Sequence, residues 1–441
     1  MDIFSNYFFD IEYFCSPDTL SKGFTKLMYL IINQKTITKG DLEKLSSEIN
    51  EKNELGWTAL MIACRNSNTK SSIEIVKLLL DHGAKIDIQD NEGWTALMLA
   101  TIHSNTDSNI DTVRLLLDYG AKIDMQDNEG LTALMMAVKC SNTDSNIETV
   151  KLLLDNGAKI NLKNHNGWFA LMIAASNSNT NSNVETVKLF LDYNAKINLQ
   201  DNNGWSALMM AVRYSNTDSN IETVKLFLNR NAKINLETDE GWTALMMAVR
   251  YSNTDSNIET IKLLLDYGAK IDFQDIDGWT ALMVAIEYIS IKSKVEIIKL
   301  LLENGTKINI KNNDGKTALT MAILNNEDLN IIKLFLDYGT KVEEDILLIA
   351  AKNNNIEIYK LLLKYSHHLF LHQTLMKKIM ESLKKNYNRF KYHPDSYYTK
   401  LLSYRYTNTE YKNIIDNAFL DYYGITSDEH LKFKFREIEH Y

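Results

Sequence analysis

The sequence predicts an all-α repeat solenoid, and three observations predict it. The hexapeptide Gly93-Trp94-Thr95-Ala96-Leu97-Met98 recurs with small changes at Gly56, Gly130, Gly167, Gly204, Gly241, Gly278 and Gly315, always 37 residues on. A fixed period of roughly 20–50 residues marks a stack in which each supersecondary unit buries its apolar face only against its neighbours. Within each period, two apolar stretches of helical spacing are bounded by cap and turn residues. The segment before the first copy reads as an atypical repeat, which is what the end of such a stack requires.

Taken in order, residues 1–22 are aromatic and irregular, with Pro17 among them. From Thr25 the pattern turns helical, with Leu27, Leu30 and Ile31 on one face, and a second helix is expected around Asp41 to Ile49. The repeat itself runs from Asp90 to Gln126. Asp90-Asn91-Glu92-Gly93 is turn chemistry, with glycine supplying a positive φ. Thr95 is placed to cap a short first helix whose residues Ala96, Leu97, Leu99 and Ala100 leave little that is polar, so this helix is expected to be buried. A polar connector, Ser104 to Asn109, leads to a second helix, Ile110 to Tyr119. The spacing of Ser108 with Asp111, repeated as Ser71 with Glu74, Ser145 with Glu148, Ser182 with Glu185, Ser219 with Glu222, Ser256 with Glu259 and Ser293 with Glu296, predicts a capping box. The same acids stand three residues before Lys77, Arg114, Lys151, Lys188, Lys225, Lys262 and Lys299, exposed pairings worth only ~0.2–0.5 kcal/mol each. Gly120 ends the helix, and Ala121-Lys122-Ile123-Asp124 extends into the next turn.

At this point the sequence resembles the ankyrin-repeat family. The family's Thr-Pro-Leu-His-x-Ala helix start stands here as Thr95-Ala96-Leu97-Met98-Leu99-Ala100, and its Leu-Leu-x-x-Gly-Ala ending as Leu116-Leu117-Asp118-Tyr119-Gly120-Ala121. The resemblance spans Asn53 to Tyr365, eight clear repeats and a degenerate ninth, and implies a curved stack of helix-turn-helix units joined by β-hairpin fingers. The family repeat is about 33 residues long; the extra residues fall in the connector between helices, and repeats eight and nine lose most or all of them. The family's proline is Ala throughout, and its His is Met at positions 61, 98, 135, 172, 209, 246 and 283, replacing a polar layer by a flexible apolar one. The richness in Asn, Ile, Lys and Tyr resembles the ankyrin-repeat proteins of giant DNA viruses of amoebae, mimivirus among them. The expected domains are an N-terminal segment and capping repeat at 1–52, the array at 53–365, and a helical non-repeat segment at 366–441.

Composition narrows the partner. With 48 basic against 57 acidic residues the net charge is -9, which disfavours a nucleic-acid backbone as main ligand. Three cysteines, Cys15, Cys64 and Cys140, lack both metal-ligand spacing and an even count, so a reducing compartment fits. The N-terminus carries acids where a signal peptide carries bases, and the apolar run Leu27 to Ile32 is far too short for a membrane span. An intracellular monomer in a host cytoplasm, binding neither membrane nor nucleic acid, is the expectation. The sequon Asn304-Gly305-Thr306 falls inside a repeat and reads as chance.

No catalytic chemistry surfaces. The glycines come singly at turns and helix ends, so no phosphate-cradling loop or nucleophile elbow is formed. His367, His368 and His372 lack the acid or cysteine partners of a metal site. The lysine column Lys85, Lys122, Lys159, Lys196, Lys233, Lys270, Lys307 and Lys341 reads as solvated charge among aspartates. The expectation is a non-enzyme without cofactor or metal.

Tryptophan is more informative. Trp57, Trp94, Trp168, Trp205, Trp242 and Trp279 all follow the turn glycine, while Leu131 and Lys316 fill the slot otherwise. In the family this position lies at the base of the fingers, on the concave face, where a ring either packs on the next finger or anchors a partner. Recognition is expected where repeats disagree. In repeats five to seven, Trp205, Arg213, Tyr214, Trp242, Arg250, Tyr251, Trp279 and Tyr288 would share one groove, and Trp, Tyr and Arg dominate interface hot spots. The leading reading is therefore a protein-interaction scaffold, in a host–virus setting if the viral resemblance holds. Two alternatives stand beside it: a ubiquitin-ligase substrate adaptor acting through residues 366–441, which lack the Leu-Pro opening of an F-box, and a multivalent binder of a repetitive ligand.

Overall fold

The structure, a computed structural model, describes residues 23–365 apart from 34–36, 68–71, 105–108, 140–143, 177–180, 215–217, 253–254, 290 and 353–355. The middle of most connectors, Cys15, Cys140, the His367 cluster and the 366–441 segment lie outside these residues. The chain divides into two compact units, residues 1–270 and 271–441.

The first unit opens with helices α1 (Lys26–Ile32) and α2 (Lys39–Lys44), the latter followed by a 3-10 turn at Ser46–Glu48. The second helix expected to reach Ile49 thus ends five residues earlier. Thr25 caps α1, and Thr38 with Asp41 makes a true capping box at α2. The core face of α1 is Leu27, Met28 and Ile31, with Leu30 only half-buried. This face packs on α3, the first helix of the first full repeat.

Six full repeats follow as helix pairs: α3 (Ala59–Arg65) with α4 (Ile73–Asp81), α5 (Ala96–Ile102) with α6 (Ile110–Asp118), α7 (Ala133–Lys139) with α8 (Asp144–Asp155), α9 (Ala170–Ser176) with α10 (Asn181–Asp192), α11 (Ala207–Arg213) with α12 (Asp218–Asn229), and α13 (Ala244–Arg250) with α14 (Asp255–Asp266). First helices pack on first helices and second helices on second helices, making two layers of the same order. The first helix is buried along nearly its whole length, as its lack of polar residues requires: in α5 every residue from Ala96 to Thr101 is inaccessible. Thr95 caps it, its hydroxyl accepting from the Met98 N–H at 3.3 Å. The second compact unit continues the pattern with α15 (Ala281–Tyr288), α16 (Ile291–Glu303), α17 (Ala318–Leu324), α18 (Leu329–Asp337), α19 (Glu344–Lys352) and α20 (Ile356–Tyr365).

Two sequence expectations change. The capping box of the second helices is not where the serines suggested. In α4 and α6 the cap is one residue later, at Ser72 and Asn109, and Asn109 accepts from the Asp111 N–H at 3.0 Å. In α8, α10, α12 and α14 the helix starts upstream, at Asp144, Asn181, Asp218 and Asp255, so the serine is a helical residue. Helix propagation adds one hydrogen bond per residue fixed, and here it draws connector residues into the helix. The acids still meet their lysines or arginine at Asp111–Arg114, Glu185–Lys188, Glu222–Lys225 and Glu259–Lys262. The fingers, second, contain no strand among the described residues. An isolated antiparallel bridge joins Gln200 and Ser206, and otherwise two backbone bonds close each turn, such as Asp90 N–H to Trp94 O at 2.9 Å and Gly93 N–H to Asp90 O at 3.1 Å.

The methionine layer is also less apolar than its composition implies. Met61 and Met209 are buried, and their sulfurs accept weakly from the Thr58 and Ser206 N–H groups at 3.4 Å. They keep part of the capping role that a histidine would have.

Candidate functional site

The finger bases set the site, and each is organised by one side chain. Asp90 Oδ1 accepts from the N–H groups of Glu92 at 2.9 Å and Trp94 at 2.7 Å, an Asx turn that aims the tryptophan. Asp127, Asn164, Asp201 and Asp275 do the same for Leu131, Trp168, Trp205 and Trp279, and Thr238 holds the Trp242 N–H at 3.1 Å. Burial pushes the carboxyls of Asp90, Asp127 and Asp201 above the usual range, against the lowering effect of those N–H donors.

Successive fingers then bond to one another. Asn91 Nδ2 donates to Glu54 O at 2.8 Å, and Asn128 and Asn202 repeat this one and three periods later with Asn91 O and His165 O. Gln89 and Gln126 each donate to their own turn glycine carbonyl and to the next finger. Lysine backbones in the column join in: Lys122 and Lys159 donate N–H to Asp87 and Asp124, with their ammonium groups 3.7 and 3.6 Å from the same carboxylates. The solvated-charge reading of those two lysines holds.

Every residue of the tryptophan column is half-buried, Leu131 and Lys316 included. Within the first compact unit the column divides. The indoles of Trp57, Trp94 and Trp168 hydrogen-bond to the buried carboxylates of the next fingers, Asp90, Asp127 and Asp201. These three serve stacking. For Trp205 the next finger base is Thr238 rather than a carboxylate, and the Arg213 guanidinium carbon lies 5.3 Å from its ring centroid.

Arg213 is the hub of the nominated residues. Besides Trp205 it stands 5.4 Å from Tyr214 and 5.2 Å from Tyr251, all within cation–π range. Arg250 stands 5.2 Å from Trp242 and 5.8 Å from the same Tyr251 ring. The first unit therefore brings six of the eight nominated residues into one cluster of two guanidiniums and four rings, all half-buried. The other two, Trp279 and Tyr288, pair within the second unit, with ring centroids 6.1 Å apart and planes at 38°. Sequence reasoning missed the Asx turns and the indole-to-carboxylate bonds. The signal was present as the Asp or Asn three residues before every turn glycine but Gly241, where Thr238 stands, but the indole that bonds to it belongs to the preceding repeat.

The family description "Ankyrin repeats (3 copies)" matches residues 20–127, 72–164, 134–237, 216–312 and 288–372. The chain belongs to the ankyrin-repeat family. Its curated relatives include ankyrin repeat proteins of Acanthamoeba polyphaga mimivirus: L91, 44% identical over 96 residues, covering 19% of this chain and 15% of that protein, and L289, 44% identical over 96 residues, covering 20% and 18%. A third, L86, is 47% identical over 72 residues, 15% of this chain and 12% of the relative. The matched ankyrin stretch thus spans less than a fifth of these relatives' length. Among the described residues no helix is long and apolar enough to cross a membrane.

Proposed function

We propose that this ankyrin-repeat chain is a non-enzymatic scaffold that binds a partner protein in a host–virus setting, through the Trp205–Arg213–Tyr214–Trp242–Arg250–Tyr251 patch. The observation that carries the reading is that Trp205 and Trp242 each face an arginine, and that both arginines share the Tyr251 ring. Half-buried Trp, Tyr and Arg held in fixed mutual contact have the character of binding hot spots, because little side-chain freedom is left to lose on association. In the second unit, the Trp279–Tyr288 ring pair is a candidate contact of its own. The viral relatives support the setting, with the host cytoplasm as the proposed compartment and a single chain as the acting species.

The test is a tagged full chain used for capture and proximity labelling in amoebae, against a variant with alanine at Tyr214, Arg250 and Tyr251. Capture should fall by about tenfold or more while the thermal midpoint stays nearly fixed. Unaltered capture overturns the assignment.

A further inference from the structure

We propose that Arg213 and Arg250 receive an acidic segment of the partner, bound extended with carboxylates on alternate residues; this rests on the patch reading above. The rings around Arg213 offer π density and, on Tyr214 and Tyr251, neutral hydroxyls but no counter-charge, and among the described residues no carboxylate is paired with it. Its five N–H donors, arranged as a rigid fork, match a carboxylate in two-point contact. The aromatic walls limit water around the guanidinium, which raises the effective strength of any ion pair formed there.

Geometry sets the form of the ligand. Arg213 and Arg250 lie 5.2 and 5.8 Å from the one Tyr251 centroid, so their guanidinium carbons stand no further apart than the sum, about 11 Å. In an extended chain, residues i and i+2 point to one face about 6.5–7 Å apart, and glutamate side chains can splay to reach both sites.

The surrounding charge agrees. The last residues of the first helices in this unit run Arg65, Ile102, Lys139, Ser176, Arg213 and Arg250, cations and neutral groups without an acid. The strip is thus locally basic in a chain of net charge -9. At physiological salt the screening length is about 8 Å, so a short acidic segment senses the strip, not the whole chain. A nucleic acid would need several phosphate contacts with the whole chain's charge against it.

The test uses the full chain and three labelled probes: a peptide of about ten residues with glutamate at alternate positions, the same peptide with glutamine, and a single-stranded oligonucleotide of matched charge. The glutamate peptide is expected to bind about tenfold or more tightly than the glutamine peptide, with the difference shrinking in about 0.5 M salt. Arg213→Gln with Arg250→Gln should abolish the preference, and Arg213→Lys with Arg250→Lys should restore it only in part. Equal binding of the two peptides, no binding of either, or tighter binding of the oligonucleotide overturns the inference. If both peptides bind equally and both are lost on alanine substitution of Tyr214, Arg250 and Tyr251, the acid preference fails while the patch survives. If that substitution leaves partner capture unaltered, the patch itself fails.

Discussion

At the residue scale, glycines that look alike in the sequence hold two different jobs. Gly93 and Gly120 both have positive φ, 82° and 84°. A Cβ on Gly93 would meet the Asn128 backbone nitrogen at 2.7 Å and Asp127 Cα at 2.9 Å in the next finger, whereas one on Gly120 meets nothing within 4 Å. Gly93→Ala should therefore cost well beyond the ~1–2 kcal/mol of the left-handed backbone alone. Gly120→Asn should be nearly neutral, because Asn194 and Asn231 already occupy that helix-end position at φ 58° and 60°. Urea denaturation of both variants checks the contrast; equal losses would refute the inter-finger account.

The buried carboxylates give a second residue-scale prediction, with a sign. Folding raises the Asp90, Asp127 and Asp201 carboxyls through burial, so the native state binds more protons than the unfolded chain across the window above the ordinary aspartate value of 3.8. Their protonated form stabilises the fold, and that contribution is lost as pH rises through the raised values. Asn53, Asn164 and Asn312 already accept the same N–H bonds without a charge. Replacing all three aspartates by asparagine should raise stability near neutral pH, with the gain fading as pH falls toward 4. A pH series of melting curves reads this, and a variant less stable at neutral pH would reverse the sign.

At the scale of elements, what was legible followed from local chemistry. The first helix, its Thr cap and the glycine stop were all readable because propensity, capping and burial agree within a few residues. The second-helix start was misread because an Asn, a Ser and an upstream Asp compete to begin it, and neighbouring helices decide among them. Invisible altogether was Lys294, in a column of Asn and Ser, which is buried and joins two repeats of the second unit. Its ammonium donates to Ile286 O at 2.8 Å, at the end of α15, and pairs with Glu327, whose side chain is 10% exposed. Removing one partner of such a pair leaves an uncompensated charge and costs about 3–5 kcal/mol, while replacing both by apolar groups can be near neutral. Glu327→Ala should thus destabilise more than Lys294→Met with Glu327→Leu. A double-mutant cycle measures it, and additive losses would mean the pair is not coupled.

At the scale of the whole molecule, the links that hold repeats together sit at fixed sequence separations of 35, 37 and 38 residues: backbone N–H to Asp87, Asn91 to Glu54, and Tyr119 hydroxyl to Asp81. A single-sequence reading finds the ruler but not the ties between its marks, since each tie joins residues that are unremarkable in their own repeat. The candidate patch could be nominated for the complementary reason: its Arg-Tyr pairs stand where repeats five and six depart from their siblings. Because every tie is written in the same period, excising residues 93–129 should splice Asp90-Asn91-Glu92 directly to Gly130 and rebuild an equivalent finger. Helicity per residue should be retained and stability lowered by one repeat's share, while excising 93–128 leaves one extra residue in a single turn and should lower stability further at that finger, with helicity kept in the later repeats. The in-register deletion leaves repeats five and six intact, so a local patch predicts unchanged partner capture. A multivalent ligand that counts repeats predicts weaker capture from the same variant. Circular dichroism and capture measured together on the two deletions decide between them.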